Sequence, residues 1–335
     1  MSTAVNADPI DWLLEHDSDN PGIRYFALID LLDLPSDAAK VEAAHLAVMR
    51  TGPVPTILES QSPDGWWAKP GAGYSPKYRG TVWQVLMLAE LGADPHDQRV
   101  RRGCQYLLDH SIAANGGFSA YQGSRPSGAF HCLNGNMLFA LIRLGWLEDP
   151  RVQAALRWQV GAINGTTGSQ YFRSGTSGPG FACGVNGGLP CAWGGNKAMR
   201  ALLMVPPSQR DVGMQAAIDA GVDLLLSRNP VEADYPFVER VSSTWFKLGF
   251  PGSYWSDVLE TVDILAQVGI AHPPALKDAV EWITGKQDDQ GRWRLENSLN
   301  GKTWANIEQR GKPSKWITLR ALRTLKRLGL YAPGE

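Results

Sequence analysis

The sequence carries almost no excess of charge. Its 32 lysines and arginines face 33 aspartates and glutamates, a formal net charge of −1. That removes the electrostatic case for nucleic acid or an anionic membrane surface as a partner. Cysteine is scarce: Cys104, Cys132, Cys183 and Cys191 in 335 residues do not make a disulfide framework. Long apolar runs are missing too, and stretches such as "MLFALI" at 137–142 fall far short of the roughly 20 residues that cross a bilayer. The opening "MSTAVNADPIDW" lacks the basic-then-apolar pattern of a signal peptide. The expectation is a cytoplasmic protein with reduced thiols. No segment sustains the period-2 alternation of a strand.

What is present is a large apolar fraction, 44% of residues, enough for a sizeable core. Tryptophan is in excess, with 13 Trp against 9 Phe and 9 Tyr. Each indole brings a wide apolar face, a π cloud that attracts cations and one N–H donor. A modest basic cluster, "TLRALRTLKRLG" near the C-terminus, reads as the solvated face of a terminal helix.

The chain repeats itself. "ESQSPDGWWAKP" at 59–70 places Gln61, Gly65 and Trp67 as Q-x-x-x-G-x-W, and "WITGKQDDQGRWRLEN" repeats the pattern with Gln287, Gly291 and Trp293. A weaker relative, "CQYLLDHSIAANGGFSAY", ends in Gly117-Phe118. Each copy follows a short helical stretch and precedes a longer apolar one. The longer stretches align at 77–92, 130–145, 191–205, 252–269 and 312–329. Their apolar residues recur at helical spacing, several of them nearly all round, as in a helix buried on every side. An open solenoid would leave such helices exposed, so closure is expected. The prediction is an all-α toroid of about five helical hairpins over residues 51–335, with residues 1–50 as a helical cap packed on the same domain.

The Q-x-x-x-G-x-W copies resemble the QW motifs of squalene and oxidosqualene cyclases. The paired-helix repeat is similar to the α/α toroid that those cyclases share with the β-subunits of protein prenyltransferases. The resemblance covers most of residues 50–330 and implies that Gln61, Gly65 and Trp67 form a structural clasp between hairpins; Trp66 is not covered by it. It also implies terpenoid chemistry on an isoprenoid or other apolar substrate. The family's D-x-D-D and D-D-x-x-D runs are absent. "GFACGVNGGLPCAWGG" at 180–195 is similar to the stretch that holds zinc in prenyltransferases, with Cys191 at the cysteine position, but Leu189 replaces the aspartate and "PSKWIT" replaces the histidine. The expectation is therefore no metal and no cofactor.

In a helical barrel, ligands meet the N-terminal ends of the inner helices, where helix dipoles and irregular loops converge. The candidates for substrate contact are Tyr78, Arg79, Trp83, His131, Asn134, Cys191, Trp193, Asn196, Tyr254, Trp255, Lys315 and Trp316. The tryptophans either fill the barrel or line a cavity for an apolar or cationic guest. Asp257 and Glu260 share a helix face and are the candidate catalytic acids, since an apolar site would raise a carboxyl pKa. Their spacing is equally that of a capping box. Three functions follow: an acid-catalysing, terpene cyclase-like enzyme with a hydrophobic small-molecule substrate; a non-catalytic toroid that binds a hydrophobic ligand or protein; or a metal- or thiol-dependent enzyme using His131, Cys183 and Cys191.

Overall fold

Helices of two kinds alternate along the chain. The computed structural model describes residues 5–121, 123, 125–167, 177–233, 235–236, 242–270 and 274–334. In chain order the helices are α1 (Ile10–Leu14), α2 (Gly22–Phe26, continued by a π-helical turn at Ala27–Leu31), α3 (Ala39–Val48), α4 (Pro53–Glu59) and α5 (Thr81–Leu91). Then come α6 (Gln98–His110), α7 (His131–Arg143), α8 (Pro150–Asn164), α9 (Ala192–Leu202), α10 (Val212–Leu226), α11 (Val258–Gln267), α12 (Pro274–Thr284) and α13 (Lys315–Arg327).

Burial sorts them. In α5 every residue from Thr81 to Ala89 is buried, while α6 buries a stripe that includes Val100, Cys104 and Leu107 and leaves Arg101, Arg102 and Gln105 in solvent. The buried helices α5, α7, α9, α11 and α13 pack successively on one another, and the amphipathic ones lie outside them. Helix α13 then packs on α2 and its π turn, and Gly92 at the end of α5 abuts Phe26. The ring closes, and the fold is an all-α toroid. The N-terminal cap therefore also supplies a sixth inner segment. Among the described residues no helix is long and apolar enough to cross a membrane.

The loops are held by one repeated clamp. Buried Trp67 donates its indole N–H to Ile57 O on α4 (2.7 Å), and its backbone N–H goes to Thr81 Oγ1 on α5 (3.2 Å). Trp293 does the same between Ile283 O on α12 (2.7 Å) and Thr318 Oγ1 on α13 (3.0 Å). Phe118 keeps half of it, its N–H meeting Asn134 Oδ1 on α7 at 3.0 Å. Each clamp ties the end of an outer helix to the first turns of the next inner one. Gln61 Nε2 adds bonds to Gly65 O (3.2 Å) and to Arg99 O in α6 (2.9 Å). Gly65 has φ +103°, and a Cβ there would lie 2.7 Å from Arg102 O, so the turn requires glycine. Trp66 stays outside the clamp and lines a surface cleft with Tyr106 and His110.

Trp293→Ala should therefore lower stability by about 3–5 kcal/mol, the usual cost of removing a fully packed large ring. Urea denaturation followed by circular dichroism checks this. A loss below about 1 kcal/mol, typical of surface positions, would contradict the clamp.

Candidate functional site

The N-terminal ends of the inner helices carry an aromatic cluster. Tyr254 meets Trp83 at 6.5 Å and Trp193 at 5.8 Å between ring centroids. Tyr78 and Tyr74 sit at 5.1 and 5.0 Å from Trp83. Lys77 Nζ stands 4.1 Å above the Tyr254 ring, a cation–π contact. These rings pack on each other, and the void among them is only ≈ 10 Å³. Arg79 lies to one side, its guanidinium 5.4 Å from the Trp304 ring and its carbonyl accepting from the Trp304 indole (3.0 Å).

Below this layer lies an axial cavity of ≈ 60 Å³, lined in part by Trp255, Trp316, Phe250, Asp257, Glu260 and Arg320. The structure thus brings four of the sequence candidates, Asp257, Glu260, Trp255 and Trp316, to one cavity. Trp316 stacks on Phe250 (4.3 Å, 10° between planes) and donates to Asn20 Oδ1 (3.0 Å). Asp257 is the N-cap of α11: its Oδ1 accepts from Glu260 N (2.8 Å), and its carboxylate pairs with Arg320 at 3.1 Å. Glu260 takes both its oxygens to Lys197 Nζ, each at 2.6 Å. Burial lowers the Lys197 pKa while Glu260 opposes it. Both carboxylates are thus held by cations on neighbouring inner helices.

Other candidates are used up in joining elements. Asn196 Nδ2 donates to Thr261 Oγ1 (2.9 Å), tying α9 to α11. Asn134 accepts from Phe118 N and donates to Ala155 O (3.2 Å) and Gln159 Oε1 (3.0 Å). His131 has both ring nitrogens occupied: Gln159 Nε2 donates to Nδ1 (2.8 Å), and Nε2 donates to Gly178 O (2.9 Å). Burial pushes its pKa down to about 4, so the ring is neutral. Cys191 Sγ caps α9 by accepting from Gly194 N (3.4 Å). The Cys183 and Cys191 thiols share a hydrogen bond, which lowers Cys183 to about 6 and, with burial, raises Cys191. Burial pushes Cys132 up to about 12. Among the described residues no three His, Cys, Asp or Glu side chains are grouped to hold a metal ion.

The residue that sequence reasoning passed over is Glu308. It sits in the loop between Arg294 and Pro313, whose ends pair antiparallel (Trp293 with Ser314, Arg294 with Pro313). Its Oε1 accepts from Lys315 N at 2.6 Å and its Oε2 from Ser314 Oγ, at the positive end of α13. Desolvation outweighs these bonds, and the negative charge of Asp17 adds to it, so the carboxyl is raised from 4.5 to about 7. Asp17 is itself 3.4 Å from Lys315 Nζ, which also holds Glu15 at 3.1 Å. Glu308 lines an open cleft of ≈ 700 Å³ with Asp19, Asn20, Thr56, Trp304 and Gln309 among its walls. The volume is that of a small-molecule site. A carboxyl poised near neutrality in a cleft is suited to proton transfer.

No protein-family model matches the sequence, and no curated protein matches it. Solved structures similar to it are distant. An unsaturated glucuronyl hydrolase specific for heparin shares 11% identity over 98% of this chain and 92% of its own, with a TM-score of 0.48. A protein from Actinoplanes shares 16% over 95% of this chain and 96% of its own, with a TM-score of 0.46. The type II terpene cyclase MstE from Scytonema shares 13% over 85% of this chain and 73% of its own, with a TM-score of 0.41. Similarity this distant assigns no activity.

Proposed function

We propose that the protein is an acid–base enzyme acting on a polar small molecule in the Glu308 cleft. The observation that carries this reading is a carboxyl raised to about 7 beside an open cleft of ≈ 700 Å³. Protonated near neutral pH, Glu308 donates to an oxygen of the substrate that gains negative charge as its bond breaks. The carboxylate left behind is stabilised by Ser314 Oγ, by Lys315 N–H and by the end of α13. Water that enters the open cleft bonds to the other fragment in place of the departing oxygen, and the proton it sheds restores Glu308.

Two experiments test Glu308. In the first, a metabolite library is screened by thermal shift, and each ligand found is assayed for turnover by the wild type and by Glu308→Gln. The expected rate falls as pH rises through about 7, and the variant binds the ligand without turning it over. Turnover by Glu308→Gln equal to wild type would remove Glu308 from the chemistry. The second experiment needs no substrate. A carboxyl raised in the folded state stabilises the protein below its unfolded value of 4.5, and that contribution is lost as pH rises through about 7. The wild type should therefore lose stability relative to Glu308→Gln across this window, and parallel profiles would contradict the raised pKa.

A second reading keeps Asp257 as the acid and an isoprenoid or other apolar guest as the substrate. It is favoured by the cavity that joins Asp257 and Glu260 to Trp255 and Trp316. Because ≈ 60 Å³ is well below the ~300 Å³ of small-ligand pockets, the guest would have to displace packed aromatic rings. Asp257→Asn keeps the cap but strands the Arg320 guanidinium, so stability should fall by roughly 3 kcal/mol. An acid role adds loss of turnover with ligand binding intact, whereas unchanged turnover would leave Asp257 a structural residue.

A further inference from the structure

The axial cavity holds more positive than negative groups. Five cationic side chains line it against four carboxylates. Each of those carboxylates is already taken: Glu90 by Arg200 (2.6 Å), Glu260 by Lys197 (2.6 Å), Asp257 by Arg320 (3.1 Å) and Asp263 by Arg327. Arg323 pairs with Asp30 at 3.0 Å, yet its buried Nε has no hydrogen-bond partner.

Arg143, in the last turn of α7, differs from the rest. Its guanidinium lies 4.5 Å from the Phe26 ring centroid and 5.8 Å from that of Phe139. Asp30 and Glu90 act on it through space, and burial holds its pKa down at about 10. No hydrogen bond or ion pair joins it to any described residue. A guanidinium carries five donors in a planar fork suited to an oxyanion, and leaving them unmet beside aromatic rings is costly.

We propose that this cavity binds a small oxyanion, a phosphate or carboxylate group, through the unused donors of Arg143 and Arg323. The ≈ 60 Å³ admits such a group and not a large organic body. Arg143, Arg200 and Arg323 stand toward the C-terminal ends of their helices, and Arg200 and Arg323 keep 19% and 21% of their side chains exposed. That end gives solvent a way in. A cation there also complements the helix dipoles, but that role needs no anion and leaves the donors of Arg143 unmet. The site is independent of Glu308, so either proposal can fail without the other.

The test is calorimetry and thermal shift with sodium phosphate and sodium acetate against sodium chloride at matched ionic strength. The expected result is saturable binding and a rise in Tm with at least one oxyanion but not with chloride. Arg143→Gln should weaken that binding by about tenfold or more, the worth of one charge-assisted contact. Arg323→Gln is the second variant should Arg143→Gln fail to fold, and it should also weaken binding. Glu308→Gln should bind the oxyanion like the wild type. Phenyl phosphate separates a free-ion site from one open to phosphate esters: failure to bind it means the free ion is the ligand, and binding means the rim admits a phosphoryl headgroup. This comparison applies where phosphate itself binds, and either result then stands with the proposal. Oxyanions that protect no better than chloride, or full binding by Arg143→Gln, would overturn it.

Discussion

The indole clamp is the interaction on which the rest of the molecule depends. Buried inner helices supply the core, but they do not fix the long loops that join them to the outer layer. The clamp does so by using both N–H groups of one residue. Trp67 and Trp293 each reach back to a carbonyl of the preceding outer helix and forward to a threonine of the next inner helix. The second clamp also sets the proposed reaction site. Trp293 pairs with Ser314, so the loop bearing Glu308 is pinned at its base. Ser314 then caps α13 by accepting from Ile317 N at 3.0 Å and donates to Glu308. Gly291 makes a further join, because its backbone comes so near the N-terminal segment that a Cβ would lie 2.0 Å from Ala7 O.

The barrel interior obeys a second constraint. Its charges are paired between different inner helices: Glu90 on α5 with Arg200 on α9, Lys197 on α9 with Glu260 on α11, and Asp257 on α11 with Arg320 on α13. Buried ion pairs recover their desolvation cost only with good geometry, and removing one partner strands the other. Ion pairing and aromatic packing together leave little space on the axis. The open volume lies to the side, where the N-terminal segment, α4 and the Glu308 loop meet.

Much of the fold was legible in the sequence because its signals are local and periodic. Apolar residues recurring at helical spacing, in several runs nearly all round, marked α5, α7, α9, α11 and α13, and the Gln-Gly-Trp spacing marked the turns between layers. The sixth inner segment was harder to see. "GIRYFALIDLL" has the right apolar content, but no Gln-Gly-Trp loop precedes it, and it closes the ring through contacts with the far C-terminal helix and with the end of α5. The candidate site was less legible. Helix starts were the right place to look for the cluster of Trp83, Trp193 and Tyr254, but spacing cannot say whether such rings enclose space or fill it. Asp257 fitted both an acid and a cap; the cap bond is now visible, while the Arg320 partner lies too far along the chain for spacing to reveal. Glu308 lies in "NIEQRGKPSKW", ahead of the helix start. Its raised pKa comes from burial in a folded loop and from Asp17 at the other end of the chain. Only its position shortly before the Ser314 cap, in an irregular loop at the helix mouth, could have drawn attention to it.

The most direct measurement of the central claim is the carboxyl carbon titration of Glu308 by NMR. Protein labelled at the glutamate side-chain carbon would be followed across the pH range, and the resonance assigned by its loss in Glu308→Gln. The account predicts an apparent pKa near 7, whereas a value at the ordinary 4.5 would show a plain ionised cap on α13 and contradict the proposed acid.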